Sequence, residues 1–169
     1  MTETATLPRL APPRHPLLGL LGFVAIVFVV GAVGSTATLP QIPGWYAALD
    51  KPGFTPPDAV FGPVWSVLFL MIAVSGWLVW RRTGLAGAPG AFVVYGVQLA
   101  LNALWSVLFF GLHRLGFAFV ELIAMWLAIL ATIIAFRRYS RPAALLLVPS
   151  LIWVTYAGAL NATIWRLNG

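Results

Sequence analysis

The sequence predicts an all-α membrane protein, a bundle of five transmembrane helices with a long first loop acting as a lid. Three observations predict it. Hydrophobic residues make up 61% of the chain and charged residues only 8%, against roughly 25% charged in a soluble domain. Five stretches reach the ~20 apolar residues that cross the hydrocarbon core as a helix. The basic residues, apart from Lys51, sit in the N-terminal tail or at the ends of those stretches, at Arg81, Arg82, Arg114, Arg137, Arg138, Arg141 and Arg166. That placement marks topology rather than a nucleic-acid patch, so the formal charge of +6 implies no nucleic-acid partner.

The first span is expected from Leu17 to Leu39, with no charge inside it. It is longer than the apolar run of a signal peptide, so it reads as a retained helix. Residues 1–16 before it are polar and proline-containing, and are expected to be a disordered tail. Residues 17–169 then form a single domain. The second span runs from Ala59 to Trp80 and stops at Arg81 and Arg82. The third runs from Pro89 to Leu112, the fourth from Leu115 to Phe136, and the fifth from Pro142 to Trp165. Pro89 and Pro142 suit first-turn positions, where a missing N–H costs nothing. Pro149 lies inside the fifth span and should kink it.

Orientation follows from the basic residues. Arg9, Arg14, Arg81, Arg82, Arg137, Arg138 and Arg141 share one face, and Lys51, Arg114 and Arg166 the other. The excess predicts a cytoplasmic N-terminus. Trp77, Trp80 and Trp165 lie near span ends and suit an aromatic belt.

One connection is long. Pro40 to Asp58 carries five prolines with Trp45, Tyr46 and Phe54. Its aromatic content is unlike that of disordered segments. It reads either as a lid over the bundle or as an interfacial segment resting on lipid.

Polar residues inside the spans form stripes. Gln98, Asn102 and Trp105 share one face of the third helix. Pro149, Trp153, Ala157 and Asn161 repeat at spacing four on the fifth, as do Phe61, Trp65 and Phe69 on the second. Amides in hydrocarbon are costly unless they face the bundle interior, so the stripes should converge. Counting residues from the span ends puts the convergence on the side of the long loop. It reads either as an aromatic ligand pocket or as packing, with the amides as interhelical glue. Glu121, the acid within the fourth span, is expected to snorkel to the nearby interface rather than serve a proton relay.

Catalytic groups are sparse. There are no cysteines, and the histidines are His15, in the tail, and His113, at a loop. Neither belongs to a triad, no cluster suits a metal, and no cofactor is expected. These groups speak against acid–base or metal catalysis and favour a binding protein, with enzyme activity an open alternative at this point.

Several residues together carry a resemblance. Trp45, Tyr46, Leu49, Lys51, Pro52, Thr55, Pro56 and Pro57, followed by Phe61, Pro63 and Trp65, are similar to the TspO/translocator-protein family. These are also called tryptophan-rich sensory proteins or peripheral benzodiazepine receptors. Gln98, Leu99, Asn102, Trp105, Ser106, Phe109 and Phe110 match in the third helix, and Pro149, Trp153, Ala157, Leu160, Asn161 and Asn168 in the fifth. The resemblance implies a five-helix bundle, usually a homodimer, with a pocket closed by the first loop. It implies binding of tetrapyrroles such as protoporphyrin, with sterols or benzodiazepine-like molecules as ligands of some members. The implied pocket is Tyr46, Trp65, Asn102, Trp105, Trp153 and Ala157, and the implied lid includes Trp45, Lys51, Pro52, Pro56 and Pro57. A macrocycle's propionates need cations or amides, for which Lys51 and Asn102 are the candidates. Two departures stand out. Ser150 replaces the family's usual tyrosine after Pro149, and the run Asn161–Arg166 has Trp165 but no tyrosine in the few residues before Arg166, which argues against sterol binding. Three readings follow: a porphyrin receptor, sensor or transporter; light-dependent porphyrin degradation; or a structural, partner-binding membrane protein.

Overall fold

A computed structural model describes residues 15–169. The expected tail therefore lies, except for its last two residues, outside the described residues. Five helices follow: α1 (Pro16–Thr38), α2 (Asp58–Thr83), α3 (Pro89–Ser106), α4 (Leu115–Arg137) and α5 (Arg141–Asn168). All are long and apolar enough to cross a membrane, and the protein is an integral multi-pass membrane protein. Leu17, Leu21, Val29, Phe117, Val120, Leu145 and Ile152 are exposed along its sides. In a membrane-spanning helix such exposed apolar positions suit contact with acyl chains.

The helices follow the apolar runs, and Pro63 in α2 and Pro149 in α5 each lie within an uninterrupted helix. Pro16 and Pro89 stand at first-turn positions of α1 and α3, where no backbone N–H is needed. Ser140 caps α5, its hydroxyl accepting from the Ala143 N–H at 3.3 Å. The turn after α2 uses Gly84 at φ +62°, a left-handed conformation that suits glycine.

The sequence reading needs one boundary correction. Pro40, Pro43 and Gly44 signal a break, yet the first helix continues through a 3₁₀ turn (Leu39–Gln41) into a π turn (Ile42–Tyr46). A proline in a continuing turn needs only that the carbonyl behind it be released, and wider turns are the usual response. The irregular part of the first connection is therefore limited to residues 49–57. A second π turn (Val107–Gly111) extends α3.

The helices pack as a ring in the order α1, α2, α5, α4, α3, closed by α1 on α3. Two ends can be distinguished: a loop end, with residues 49–57, and an arginine end, with Arg81, Arg82, Arg137, Arg138 and Arg141. Near the arginine end the core is dense. Val27, Ile72, Val79, Tyr95, Phe136 and Leu147 pack together, and Tyr95 Oη donates to the Ile72 carbonyl at 3.1 Å. Ser75 Oγ donates to the Ala143 carbonyl at 2.8 Å, joining α2 to α5. At the loop end Tyr46, Phe109, Phe110, Leu115, Leu160 and Ile164 form an aromatic cluster.

Glu121 departs from expectation. It does not snorkel. It is 8% exposed, and both carboxyl oxygens are buried without a hydrogen-bond partner. Its position on α4, a helical turn from Ala118 and from Met125, turns it into the bundle rather than along its surface.

Candidate functional site

A cavity of about 330 Å³ lies in the loop-end half of the bundle. Its wall holds Tyr46, Trp65, Asn102, Trp105, Trp153 and Ala157, the six pocket residues that the resemblance implies. The three stripes do converge. Phe61 and Phe69 join Trp65 from α2, and Asn161 joins Trp153 and Ala157 from α5. Gln98 and Pro149 do not reach the wall. Gln98 is fully buried, with neither amide atom hydrogen-bonded.

The wall is fixed by a short chain of contacts. Trp105 Nε1 donates to Asn161 Oδ1 at 3.2 Å. Asn161 Nδ2 in turn donates to the Leu115 carbonyl at 3.0 Å, so one amide ties α3, α4 and α5 together. Trp105 also stacks on Phe109 at 5.1 Å. Phe61 meets the Trp153 ring edge-on at 5.9 Å, and Trp65 packs against Phe69 at 5.4 Å. Aromatic faces held by one another in this way present a preformed surface.

Two wall residues keep unused donors. Asn102 Nδ2 and Trp153 Nε1 are buried and have no partner. A buried unpaired N–H is costly, and both belong to residues of the cavity wall. Asp58 is the one charged side chain among the lining residues.

The proposed lid residues lie outside the cavity wall and organise the loop. Trp45 stacks on His113 at 4.0 Å. Lys51 Nζ donates to the carbonyls of Tyr46 (2.6 Å), Ala47 (3.3 Å) and Leu49 (3.3 Å), and sits 4.6 Å from the Tyr46 ring centroid. Its charge is thus spent on the end of the first helix rather than turned toward the cavity. The Pro52 carbonyl accepts from the N–H and hydroxyl of Thr55, and Pro57 precedes the first turn of α2. Pro56 is half-buried. Asn168 and Tyr156 clamp the loop from α5: Asn168 holds Asp50, and Tyr156 Oη donates to the Phe54 carbonyl at 2.7 Å.

Sequence reasoning missed the contribution of α1. Val30, Gly31, Gly34, Ser35 and Thr38 form one side of the cavity. Their recurrence every three to four residues is a helical stripe, but hydroxyls such as those of Ser35 and Thr38 bond to carbonyls of their own helix and do not mark a face as the amides do.

Residues 23–166 match the TspO/MBR family. The Protein CrtK of Rhodobacter capsulatus is 41% identical over 128 residues, covering 73% of this chain and 78% of that one. The translocator protein of Homo sapiens is 41% identical over 128 residues, covering 73% and 75%. The tryptophan-rich sensory protein of Cereibacter sphaeroides is 39% identical over 124 residues, covering 73% and 77%.

Proposed function

This chain belongs to the TspO/MBR family, and from that premise we propose that it is a membrane receptor that binds tetrapyrroles, or similar flat apolar molecules, in the aromatic cavity. The observation that carries this reading is the pairing of Trp65, Trp105 and Trp153 around one cavity with the unpartnered donors Asn102 Nδ2 and Trp153 Nε1. Stacking and burial supply the affinity, at about 25 cal/mol per Å² of apolar area before the costs of association. The unpartnered N–H groups of Asn102 and Trp153 are the donors that a side-chain adjustment on binding would turn to an acceptor such as a carbonyl, and so fix orientation. With Lys51 engaged elsewhere and Asp58 at the wall, the carboxylates of a porphyrin lie at the membrane interface and not inside.

The test is a titration of protoporphyrin IX followed by tryptophan fluorescence, beside a Trp65→Ala/Trp153→Ala variant whose fold is checked by thermal unfolding. Saturable quenching that weakens in the variant supports the reading. Equal, non-saturating quenching in both overturns it, because the porphyrin then only partitions into detergent.

A second reading rests on the same three indoles. A photosensitiser held among them is placed to exchange electrons with them, which favours light-dependent porphyrin breakdown. Counting porphyrins lost per protein under illumination separates the two. Many turnovers mark catalysis, and a single loss with tryptophan oxidation marks damage. The remaining proposals are a homodimer and a cytoplasmic N-terminus. On α3, Gly90, Gly96 and Ala100 face outward, a surface that allows close helix approach. Cross-linking through Gly96→Cys tests the dimer, and labelling of Arg138→Cys in right-side-out vesicles tests the orientation.

A further inference from the structure

We propose that the ligand reaches the cavity sideways, from the hydrocarbon of the bilayer, through a gap between the loop-end halves of α1 and α2. The inference rests on the cavity being a ligand site, as proposed above, and names the source of the ligand: a molecule already dissolved in the membrane.

The contact between α1 and α2 has two different halves. From the arginine end to just past the middle of both helices, where Gly31 and Phe69 meet beside the cavity, it is interlocked. A Cβ at Gly19 would collide with Trp80, one at Gly76 with Phe23 at 2.8 Å, and one at Gly31 with Phe69 at 2.6 Å. Each glycine accepts a ring from the other helix. Trp77 Nε1 adds a hydrogen bond to the Pro16 carbonyl at 2.8 Å. In all three interlocks the paired residue numbers add to 99 or 100, as expected for antiparallel neighbours in constant register.

Continuing that register toward the loop end puts Gly34 level with Ser66, Thr38 with Gly62 and Gln41 with Ala59. No large ring faces a glycine there. The hydroxyls of Ser35, Thr38 and Ser66 are spent on carbonyls of their own helices, at 2.9 Å each. Among the described residues no side-chain hydrogen bond joins α1 to α2 in this half. Here α1 leans on α3 instead: a Cβ at Gly34 would meet Ser106 Oγ at 3.0 Å, and Gly111 lies against Ala37. Gly62 has open space, with nothing within 4 Å of a Cβ built there. Ser35, Ala59 and Gly62 are exposed and also line the cavity, so the same residues face lipid and ligand.

The aqueous end is closed more firmly. Asn168 holds both sides of the Asp50 peptide, Tyr156 holds Phe54, and His113 both stacks on Trp45 and bonds to Gln41 at 3.1 Å. Opening that end breaks several contacts at once, whereas parting α1 from α2 in the loop-end half breaks none of them. The cavity volume of about 330 Å³ is also near the lower limit of small-molecule sites, ~300–1,000 Å³. A macrocycle therefore enters edge-first and leaves part of its ring in the gap.

The chain has no cysteine, which makes the test clean. A Thr38→Cys/Gly62→Cys variant is bridged with a short bis-methanethiosulfonate linker. A second variant, Asp50→Cys/Asn168→Cys, is bridged in the same way to lock the loop. Association and release of protoporphyrin IX are followed by stopped-flow tryptophan fluorescence. Bridging the gap should slow both rates about tenfold or more, because a blocked route raises one barrier in both directions, and reduction should restore them. Bridging the loop should change them less than about twofold. A Gly62→Trp variant should show the same slowing without a linker. Slowing by the loop bridge alone overturns the proposal, as does a gap bridge that leaves association unchanged and only speeds release. Absence of saturable binding in the unbridged protein overturns the ligand site itself, and the route with it.

Discussion

Asn168 grips the Asp50 peptide on both sides, accepting from its N–H at 2.9 Å and donating to its carbonyl at 2.9 Å. The two residues stand 118 positions apart, and the side-chain amide replaces the strand-like partner that an irregular loop lacks. Asn168→Leu removes both bonds. The freed groups are near water, so the cost is modest, about 1 kcal/mol. The sharper readout is local. Proteolytic nicking within residues 49–57 should rise several-fold, in line with a lower opening free energy. Unchanged nicking would show that Tyr156 and Trp45 hold the loop without Asn168.

Asn161 is the joint of the cavity wall, accepting from Trp105 and donating to the Leu115 carbonyl. Asn161→Leu leaves Trp105 Nε1 without its acceptor, at about 1–3 kcal/mol, and takes a second donor from the Leu115 carbonyl, which keeps its place in the first turn of α4. Trp105→Phe costs one bond and keeps most of the ring. Thermal unfolding in detergent should rank Asn161→Leu below Trp105→Phe. The double variant should fall short of the sum, because both changes delete the same bond. Additive losses would mean the bond contributes nothing.

The spans and the converging stripes were legible because an apolar run and a 3.6-residue period are one-dimensional signals. Gln98, Asn102 and Trp105 declare a face without any knowledge of the neighbours. Three things were not legible. The π turn at Ile42–Tyr46 is hidden because Pro40, Pro43 and Gly44 are local breakers that tertiary packing of Tyr46 overrides. The α1 wall is hidden because glycine and serine in an apolar span look like packing. The burial of Glu121 depends on which helix stands beside it, and spacing along α4 does not say. Within the stripe, Gln98 shares a face with Asn102 yet lies beneath the cavity, a difference of one turn in depth.

Asp58 is the charged side chain at the cavity wall. A dianionic porphyrin approaching it is repelled, and the repulsion is screened by salt. Asp58→Asn should tighten protoporphyrin IX binding severalfold at low ionic strength, with the gain shrinking as salt is raised through the Debye range of about 10 Å at 0.1 M. The same substitution should leave a neutral porphyrin ester unaffected. Equal gains for acid and ester would point to a change in shape and not in charge.

The two kinds of glycine on α2 separate by stability. A methyl at Gly76 meets Phe23 and Tyr95, each at 2.8 Å. Both rings are hemmed in by Phe92, so neither yields cheaply. Gly76→Ala should cost about 1–3 kcal/mol through overpacking. Gly62→Ala meets nothing and gains helix propensity of up to about 1 kcal/mol. Thermal midpoints should therefore move in opposite directions. A matching loss at Gly62 would mean that the two helices close together there, against the open gap.

Glu121 supplies the last contrast. Its carboxyl is buried with both oxygens unpartnered, on a helix whose neighbouring core positions are Ala118, Leu122 and Met125. A polar group buried without a hydrogen bond costs about 1–3 kcal/mol in protein interiors. Leucine has nearly the shape of this side chain and none of that cost. Glu121→Leu should therefore raise the unfolding midpoint, whereas Glu121→Gln keeps the burden and should leave it nearly unchanged. A residue kept for stability behaves the other way. If leucine lowers the midpoint, the carboxyl has a partner in solution, and the search turns to the facing residues of α3. If leucine stabilises but impairs ligand binding, the acid is retained for function at a cost to the fold, which is the usual status of an ionisable group inside a membrane.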